Sequence, residues 1–319
     1  METGIVTDKM SVAMMSRVGI CWRTNCIRFL PFFLVMVLTA CQPPEVAPRR
    51  TTVIRIAGAT AMQPVLYELT TAFNRQHPTV FFEVAGGGST TGEERVMAQQ
   101  IDLAASTLIS PTASTTSQGS VTRVAIRTPI GIDGLAIIVH PDNTLTKLTL
   151  PQLQAIYNGR VLTWDKIGGG QGEILLISRE EGSGSRQLFD ARVMGDERVS
   201  LTAVVMPTSK DVVDYVAAHP AAIGYVSRAY VTAAIEQAGQ TAATTNTAGQ
   251  SAAAPTVKVI LLEEQLPTQQ ALQTQSYPLL QVLYFVTYAR PTGALQQFID
   301  FALSPAGQAL VARHHGRVR

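Results

Sequence analysis

Three times along this chain, a short apolar or β-branched run leads into a turn of glycine and small hydroxyl residues and then into a helical pattern. The three turns begin at Gly58, Gly86 and Gly182. Because strand and helix patterns alternate, the sequence predicts parallel strands covered by helices, that is, an α/β fold. Two longer apolar runs, over residues 131–139 and 279–288, predict further buried strands.

A targeting pattern occupies the N-terminus. Three arginines, Arg17, Arg23 and Arg28, precede an apolar run over residues 29–40. This run is too short for a permanent transmembrane helix and is typical of a signal peptide. We therefore expect residues 1–40 to be removed on export.

The end of the apolar run predicts how the mature chain is held. The sequence Leu-Thr-Ala-Cys at residues 38–41 is similar to the lipobox of bacterial lipoproteins, in which the cysteine is lipidated. Cys41 is therefore the predicted lipidation site, and a short membrane anchor that contains a cysteine is the alternative. The Pro-rich residues 41–50 predict a tether between the membrane and a folded part that starts near Thr51.

The charge balance narrows the range of partners. The net charge is +2, only 15% of the 319 residues are charged, and the basic residues are scattered. The sequence has no polybasic stripe that could neutralise a nucleic-acid backbone, so nucleic acid is not an expected partner. Any bound anion is expected to be small and held locally.

Motifs for several other chemistries are missing from the sequence. No glycine turn continues into Gly-Lys-Ser/Thr and no Gly-x-Ser-x-Gly run occurs, so nucleotide hydrolysis and serine hydrolysis lack support. The five histidines lack metal-ligand spacing and are expected at the surface. Cys21 and Cys26 leave with the predicted signal peptide, so neither a disulfide nor a cysteine–metal site is expected. We expect neither an enzyme nor a metal or organic cofactor.

The glycine and hydroxyl turns are candidate anion sites. The first turn of a helix offers unpaired backbone N–H groups and the positive end of the helix dipole, and hydroxyls add donors. A single turn of this kind is more often only a helix cap, but three in one chain favour an oxyanion site. The candidate ligand-binding residues of the first two turns are Ala59, Thr60, Ala61, Ser89 and Thr90.

A basic residue precedes the third turn. Arg179 lies four residues before Ser183, so its guanidinium can turn back over the loop and give bidentate hydrogen bonds to two oxyanion oxygens. Ser183, Gly184 and Ser185 are the candidate ligand-binding residues of this turn, and Glu181 is the candidate carboxylate that holds Arg179. An exposed Arg179–Glu181 ion pair without function is the alternative.

These motifs resemble those of the phosphate-binding proteins of ABC transporters, in the type II periplasmic solute-binding superfamily. The resemblance covers nearly the whole predicted mature chain, and in its third loop a serine replaces the usual threonine. The matching runs are Gly58-Ala59-Thr60, the glycine turn with Ser89, Arg179 with Ser183-Gly184-Ser185, residues 131–136, residues 148–164, Ile223-Gly224-Tyr225 and Tyr277-Pro278-Leu279.

One position departs from the family pattern. Many family members carry Ser-Asp after the third strand, where the aspartate accepts the proton of hydrogen phosphate, but this chain has Ser106-Thr107. Thr107, as the candidate ligand-binding residue there, can accept the same bond but does not repel a fully deprotonated anion as a carboxylate does. The resemblance therefore implies phosphate as the ligand, with sulfate, molybdate or tungstate as alternatives.

The resemblance also implies two α/β lobes with the anion in the cleft between them, at the carboxyl ends of strands. Lobe one is expected at residues 51–132 and 280–319, and lobe two at residues 133–279. The strands near 131–139 and 279–288 would cross between the lobes as a hinge. Within lobe two, residues 231–255 have almost no large apolar side chains and are expected to form a flexible surface insertion.

The function implied by the resemblance is capture and delivery of a solute. We expect a monomeric, lipid-anchored protein of the cell envelope that binds phosphate outside the cytoplasm and passes it to an ABC permease. A lipoprotein that uses the same fold for sensing or adhesion, without transport, is the alternative.

Overall fold

The computed structural model describes residues 51–109, 125–243 and 256–318. The predicted signal peptide, Cys41 and the tether lie outside these residues, as do residues 244–255 of the predicted insertion. In the part of the chain that the structure describes, no helix is both long and apolar enough to cross a membrane.

Strands and helices alternate along the described residues. The strands are β1 (Thr52–Gly58), β2 (Val80–Gly87), β3 (Leu103–Ser106), β4 (Ile126–Val139), β5 (Lys147–Leu148), β6 (Leu175–Arg179), β7 (Val204–Met206), β8 (Ala222–Ser227), β9 (Lys258–Leu262), β10 (Leu280–Thr287) and β11 (Gly316–Arg317). The helices are α1 (Gln63–Gln76), α2 (Ser89–Met97), α3 (Leu150–Tyr157), α4 (Gly184–Phe189), α5 (Ser209–Ala218), α6 (Thr232–Ala243), α7 (Gln269–Gln273), α8 (Gly293–Leu303) and α9 (Pro305–His314).

Two long strands join two groups of parallel strands. In one group β1 pairs in parallel with β2 and β3, and in the other β6 pairs in parallel with β7 and β8. Between them, β10 is antiparallel to β3 and β4, and β4 is antiparallel to β8, which gives the order β2-β1-β3-β10-β4-β8-β6-β7. The predicted α/β fold is confirmed, and β4 and β10 are the crossing strands.

Separate hydrophobic cores lie on the two sides of the crossing strands. One core packs α1, α8 and α9 against the first parallel group and includes Phe73, Phe285 and Phe298. Another centres on Phe189 and Tyr225, whose rings stack with centroids 4.2 Å apart. The first core draws its side chains from both segments that were assigned to lobe one, and the boundaries at residues 132 and 280 stay a prediction.

Part of the predicted insertion is helical. Residues 232–243 form α6, and Ala234 and Ile235 are buried in one cluster with Val231 and Val257. The segment lacks large side chains, but alanine has the highest helix propensity, and the two buried side chains dock the helix onto the domain. Residues 232–243 are therefore helical, and the flexibility of the insertion stays a prediction.

One histidine contradicts the expectation that all five histidines lie at the surface. His315 is fully buried, and its Nδ1 lies 3.1 Å from Asp133 Oδ1. The reason lies in a pairing that the sequence pattern does not reveal: β11 joins the sheet beside β4, with Gly316 opposite Ile132. This pairing carries the preceding residue into the interior.

Candidate anion site

The turns that follow β1, β2 and β6 are the three that the sequence analysis identified, and the last two touch each other. The Thr90 N–H donates to the Gly182 carbonyl over 3.1 Å. A Cβ on Gly184 would lie 2.1 Å from Thr107 Oγ1 and 3.0 Å from Ser89 Oγ, so only glycine allows α4 to approach the loop after β3 this closely. The structure therefore brings predicted site residues from both lobes together.

Arg179 ends β6 and is only 2% exposed. Its Nη2 donates to Thr60 Oγ1 of lobe one over 3.2 Å, and its Nη1 donates to Ser209 Oγ of lobe two over 3.1 Å. Its Nε donates to the Met206 carbonyl over 3.0 Å. Because these bonds hold a planar guanidinium from several directions, the charge stays where the two lobes meet.

The carboxylate that pairs with Arg179 is that of Glu180. The expected partner, Glu181, does not hold the arginine. The two Glu180 oxygens lie 2.9 Å from Nη2 and 3.0 Å from Nε of Arg179. The Ser183 N–H donates to the Glu180 carbonyl over 3.0 Å, so Glu181 lies at the tip of a tight turn and is exposed. The turn, rather than the spacing along the chain, decides which carboxylate pairs with the arginine.

Ser209 is a site residue that the sequence analysis did not identify. It begins α5 and is fully buried, and its Oγ and N–H each lie 3.2 Å from Thr60 Oγ1. The preceding Thr208 caps α5 by accepting from the Asp211 N–H over 3.1 Å. A signal was present, since β7 also runs into hydroxyl residues and then a helix, but this turn lacks glycine.

Ser89 and Thr107 form the lobe-one side of the site. The Thr107 N–H donates to Ser89 Oγ over 3.1 Å, and their hydroxyl oxygens are 3.4 Å apart. Gly88, just before Ser89, has φ 83°, and a Cβ there would lie 3.0 Å from the Gly182 carbonyl oxygen. This left-handed conformation and close approach both require glycine.

A buried ion pair supports the loop that carries Thr107. Ser106 Oγ donates to Glu93 Oε1 over 2.5 Å, and Glu93 Oε1 lies 3.1 Å from Arg127 Nη1. Arg127 also donates to the Leu108 carbonyl over 2.7 Å and lies 4.3 Å from the centre of the Tyr284 ring. Glu93 belongs to α2, so this pair ties the helix of Ser89 to the loop of Thr107.

Two tyrosines, the buried Tyr225 and the partly buried Tyr230, hold the backbone around the site. Tyr225 Oη accepts from the Arg179 N–H over 3.2 Å and lies 2.8 Å from Ser178 Oγ, while Tyr230 Oη donates to the Thr60 carbonyl over 2.7 Å. Burial raises the pKa of each phenol to about 12, although hydrogen bonds to Tyr225 and the Arg179 charge near Tyr230 oppose it. Both phenols therefore stay protonated at neutral pH.

The remaining predicted residues differ in what they can offer a ligand. The Ala59 N–H donates to the Ala105 carbonyl over 2.8 Å, so this amide is committed to the protein itself, and Ala61 is buried in the short helical turn after β1. Ser183 Oγ accepts from the Arg186 N–H over 3.4 Å as the cap of α4. Ser185 follows in the first turn of α4 and is 2% exposed.

The site is chemically suited to an anion. It offers a guanidinium, hydroxyls and the N-terminal ends of helices, which all donate hydrogen bonds. Over residues 51–109, 125–243 and 256–318, no group of three or more His, Cys, Asp or Glu side chains is placed to hold a metal ion.

Known proteins share both the sequence pattern and the fold. Phosphate-binding protein PstS of Bacillus subtilis (strain 168) is 22% identical over 265 residues, which cover 83% of this chain and 80% of that protein. An ABC-type phosphate transport receptor from Vibrio cholerae superposes with a TM-score of 0.59 at 26% identity, covering 83% of this chain and 99% of the receptor. An ABC transporter substrate-binding protein from Clostridium perfringens, solved with bound phosphate, superposes with a TM-score of 0.69 at 24% identity, covering 84% and 100%.

The family assignment rests on a match to a family model over most of the chain. The family model described as the PBP superfamily domain matches residues 45–306, which include all the turns of the candidate site and both crossing strands. The chain therefore belongs to the PBP superfamily, and its predicted resemblance to the phosphate-binding proteins of ABC transporters is confirmed.

Proposed function

We propose that this protein captures a tetrahedral oxyanion, with phosphate as the first candidate, between its two lobes and delivers it to an ABC importer. The observation that carries the proposal is the buried guanidinium of Arg179, which bonds to hydroxyls of Thr60 and Ser209 on opposite lobes. A fully buried arginine is almost always paired, and the guanidinium of Arg179 matches the geometry of a phosphate or sulfate oxygen pair as well as that of a carboxylate. The phosphate bound by the Clostridium perfringens relative supports the same class of ligand.

The hydroxyl groups support an anion because they already accept hydrogen bonds. Ser89 Oγ accepts from the Thr107 N–H, and Thr60 Oγ1 accepts from Arg179 and from the Ser209 N–H. A hydroxyl has a single hydrogen, so one that accepts from N–H groups can give that hydrogen either to the neighbouring hydroxyl, Ser209 for Thr60 and Thr107 for Ser89, or to an acceptor on a ligand. The oxygens of an oxyanion would be such acceptors.

Binding in this proposal is conformational and breaks no covalent bond. An anion between the lobes would replace the direct contact of Arg179 with Thr60 and tie the lobes through its own oxygens. The closed form would then be the one that a permease recognises, with β4 and β10 as the hinge. The residues proposed to surround the anion are Thr60, Ser89, Thr90 and Thr107 of lobe one with Arg179, Ser183, Gly184 and Ser185 of lobe two, and Ser209 is added by the structure.

Titration calorimetry tests the ligand. Full-length protein in detergent would be titrated separately with phosphate, sulfate, molybdate and tungstate at neutral pH. We expect phosphate to bind most tightly. Tighter binding of another of the four would name that oxyanion as the ligand, and no binding of any of them would contradict the proposal.

Uptake by whole cells tests the transport role. Deletion of the gene should lower phosphate uptake, and the wild-type gene should restore it while a gene carrying Arg179→Ala should not. Uptake that is unchanged by the deletion would favour sensing or adhesion instead of transport.

The anchor and the location are further parts of the proposal. The apolar run that ends in Leu-Thr-Ala-Cys supports lipidation of Cys41 and a position outside the cytoplasm. Cys41→Ala should move the protein from the membrane fraction to the soluble fraction, and a variant that stays with the membrane would contradict lipidation. We also infer a monomer, because the two lobes of one chain supply every proposed site residue, and light scattering measures this directly.

A further inference from the structure

Behind the candidate site lies a cluster of buried polar side chains. Asp133, Arg228, Gln281 and His315 are each at most 3% exposed, where β4, β10 and the C-terminal segment meet. Burying such groups costs free energy unless they bond to one another. Each of these side chains therefore needs hydrogen-bond partners among its neighbours.

Asp133 is held on both of its oxygens. Gln281 lies directly opposite Asp133 in the pairing of β10 with β4, and its Nε2 donates to Asp133 Oδ2 over 2.8 Å. His315 Nδ1 lies 3.1 Å from the other oxygen, Oδ1. Because a carboxylate only accepts hydrogen bonds, Asp133 determines which end of the Gln281 amide faces it, namely the NH2 end.

The oriented amide reaches the candidate anion site. The same Gln281 Nε2 lies 3.5 Å from Ser185 Oγ in the first turn of α4. An amide nitrogen only donates, so Ser185 Oγ is the acceptor in this contact, and the single hydrogen of the serine is left to point elsewhere. This is the arrangement already described for Ser89 and Thr60.

We propose that Asp133 and Gln281 are positioning residues for anion binding. Asp133 orients the Gln281 amide, and the amide makes Ser185 a hydrogen-bond donor toward the anion. This inference rests on the proposed function and deepens it, because it assigns a role in recognition to the two crossing strands themselves.

The charged and titratable groups around Asp133 support its role as a hydrogen-bond acceptor. Arg228 donates to the carbonyls of Pro267 and His314 and acts on Asp133 electrostatically, so a cation lies near the buried carboxylate. Burial lowers the pKa of His315 despite the opposing influence of Asp133, so the imidazole is neutral and serves as a hydrogen-bond partner. The charged or titratable groups that face His315 are Asp133, Arg228 and His314.

A double-mutant cycle tests this chain of contacts from Asp133 through Gln281 to Ser185, here called the relay. Gln281→Met keeps the length of the side chain and removes the amide, and it should weaken phosphate binding about 3- to 10-fold in calorimetry, the usual worth of one hydrogen bond. Ser185→Ala should weaken binding by a similar factor. In the Ser185→Ala background, Gln281→Met should have almost no further effect, because the hydroxyl that it orients is gone.

A second buried glutamine provides the control. Gln308 is 7% exposed and donates to the carbonyls of Ile130 and Ala302, outside the candidate site. Gln308→Met should lower the melting temperature without changing the affinity for phosphate. If Gln281→Met does not fold, Asp133→Asn replaces it in the same cycle, since an asparagine lets the Gln281 amide adopt either orientation.

The outcomes separate the relay from the proposed function. Wild-type affinity in Gln281→Met, or an equal loss with and without Ser185, would overturn the relay and leave the proposed function standing. If wild-type protein binds none of the four oxyanions, both proposals are overturned.

Discussion

Two ion pairs lie at the candidate anion site, and in each pair one partner is more deeply buried than the other. In lobe two, Arg179 has a side chain that is 3% exposed and faces the site, while its partner Glu180 is 30% exposed. In lobe one, the order is reversed: the carboxylate of Glu93, 2% exposed, bonds to Ser106 beneath the site loop, and Arg127 is the more exposed partner at 13%.

From this difference we infer that the Arg179 charge serves the proposed anion, whereas the Glu93–Arg127 pair supports a loop. Water screens an exposed carboxylate, so Glu180 neutralises Arg179 incompletely, and the arginine keeps an attraction for an anion. Glu93 and Arg127 are both more deeply buried than Glu180, and together they present no net charge to the loop. In the proposed binding mode, lobe two would supply the positive charge and lobe one would supply neutral hydroxyl donors.

Removing the arginine of each pair should have different consequences. Arg179→Ala should weaken phosphate binding by about 2 to 5 kcal/mol, because a ligand charge loses its buried, hydrogen-bonded partner. Arg127→Ala should mainly lower the free energy of unfolding and change the affinity much less. Calorimetry with thermal unfolding measures both, and a folded Arg179→Ala protein with wild-type affinity would refute the role of lobe two.

A negative charge placed on the neutral side should change selectivity. Thr107→Asp should weaken sulfate binding by about 2 kcal/mol, since like charges repel, while phosphate, which can keep a proton for the carboxylate, binds as well or better. Thr107→Asn is the matched neutral control and should not discriminate in this way. If wild-type protein already excludes sulfate in competition titrations at neutral pH, another residue must supply the acceptor.

The carboxylate of the lobe-one pair should matter for stability. Glu93→Gln leaves the Arg127 charge without its partner and should lower the free energy of unfolding by about 1 to 3 kcal/mol in urea titrations. Glu94→Gln makes the same change at the next, exposed residue of α2 and should have little effect. Equal stability of the two variants would show that the buried pair does not hold the loop.

A third buried pair, Asp133 with His315, should show itself in the pH dependence of stability. Burial lowers the pKa of His315, so below about pH 6.5 the unfolded chain takes up a proton that the folded chain refuses. Stability should therefore fall as the pH drops from about 6.5 toward the lowered pKa, by at most about 1.4 kcal/mol per pH unit. His315→Gln should have a shallower slope in urea titrations across this range, and an unchanged slope would contradict a neutral buried histidine.

Local patterns predicted much of the fold and three turns of the site. The apolar run at 131–139 lies within β4 (Ile126–Val139), and the run at 279–288 closely matches β10 (Leu280–Thr287). Glycine followed by hydroxyl residues correctly indicated where strands meet helices near Thr60, Ser89 and Ser183. These signals depend on residues a few positions apart, which is why they can be read along the chain.

Partners that are distant in the sequence could not be predicted in this way. Ser209 and Thr60 are 149 residues apart, and His315 and Asp133 are 182 apart. Glu93 also gave no signal, because a carboxylate on a short helix is usually exposed, and only the packing of α2 beside β3 buries it.

The sequence by itself determined the α/β class, the order of strand, turn and helix, and the donor chemistry of the turns, because hydrophobic periodicity and glycine conformation act between near neighbours. The tertiary structure alone decided which donors meet. The turn after β6 selected Glu180 over Glu181 as the partner of Arg179, and the contact between the lobes placed Ser209 beside Thr60. Such choices depend on the pairing of distant strands, which no local pattern specifies.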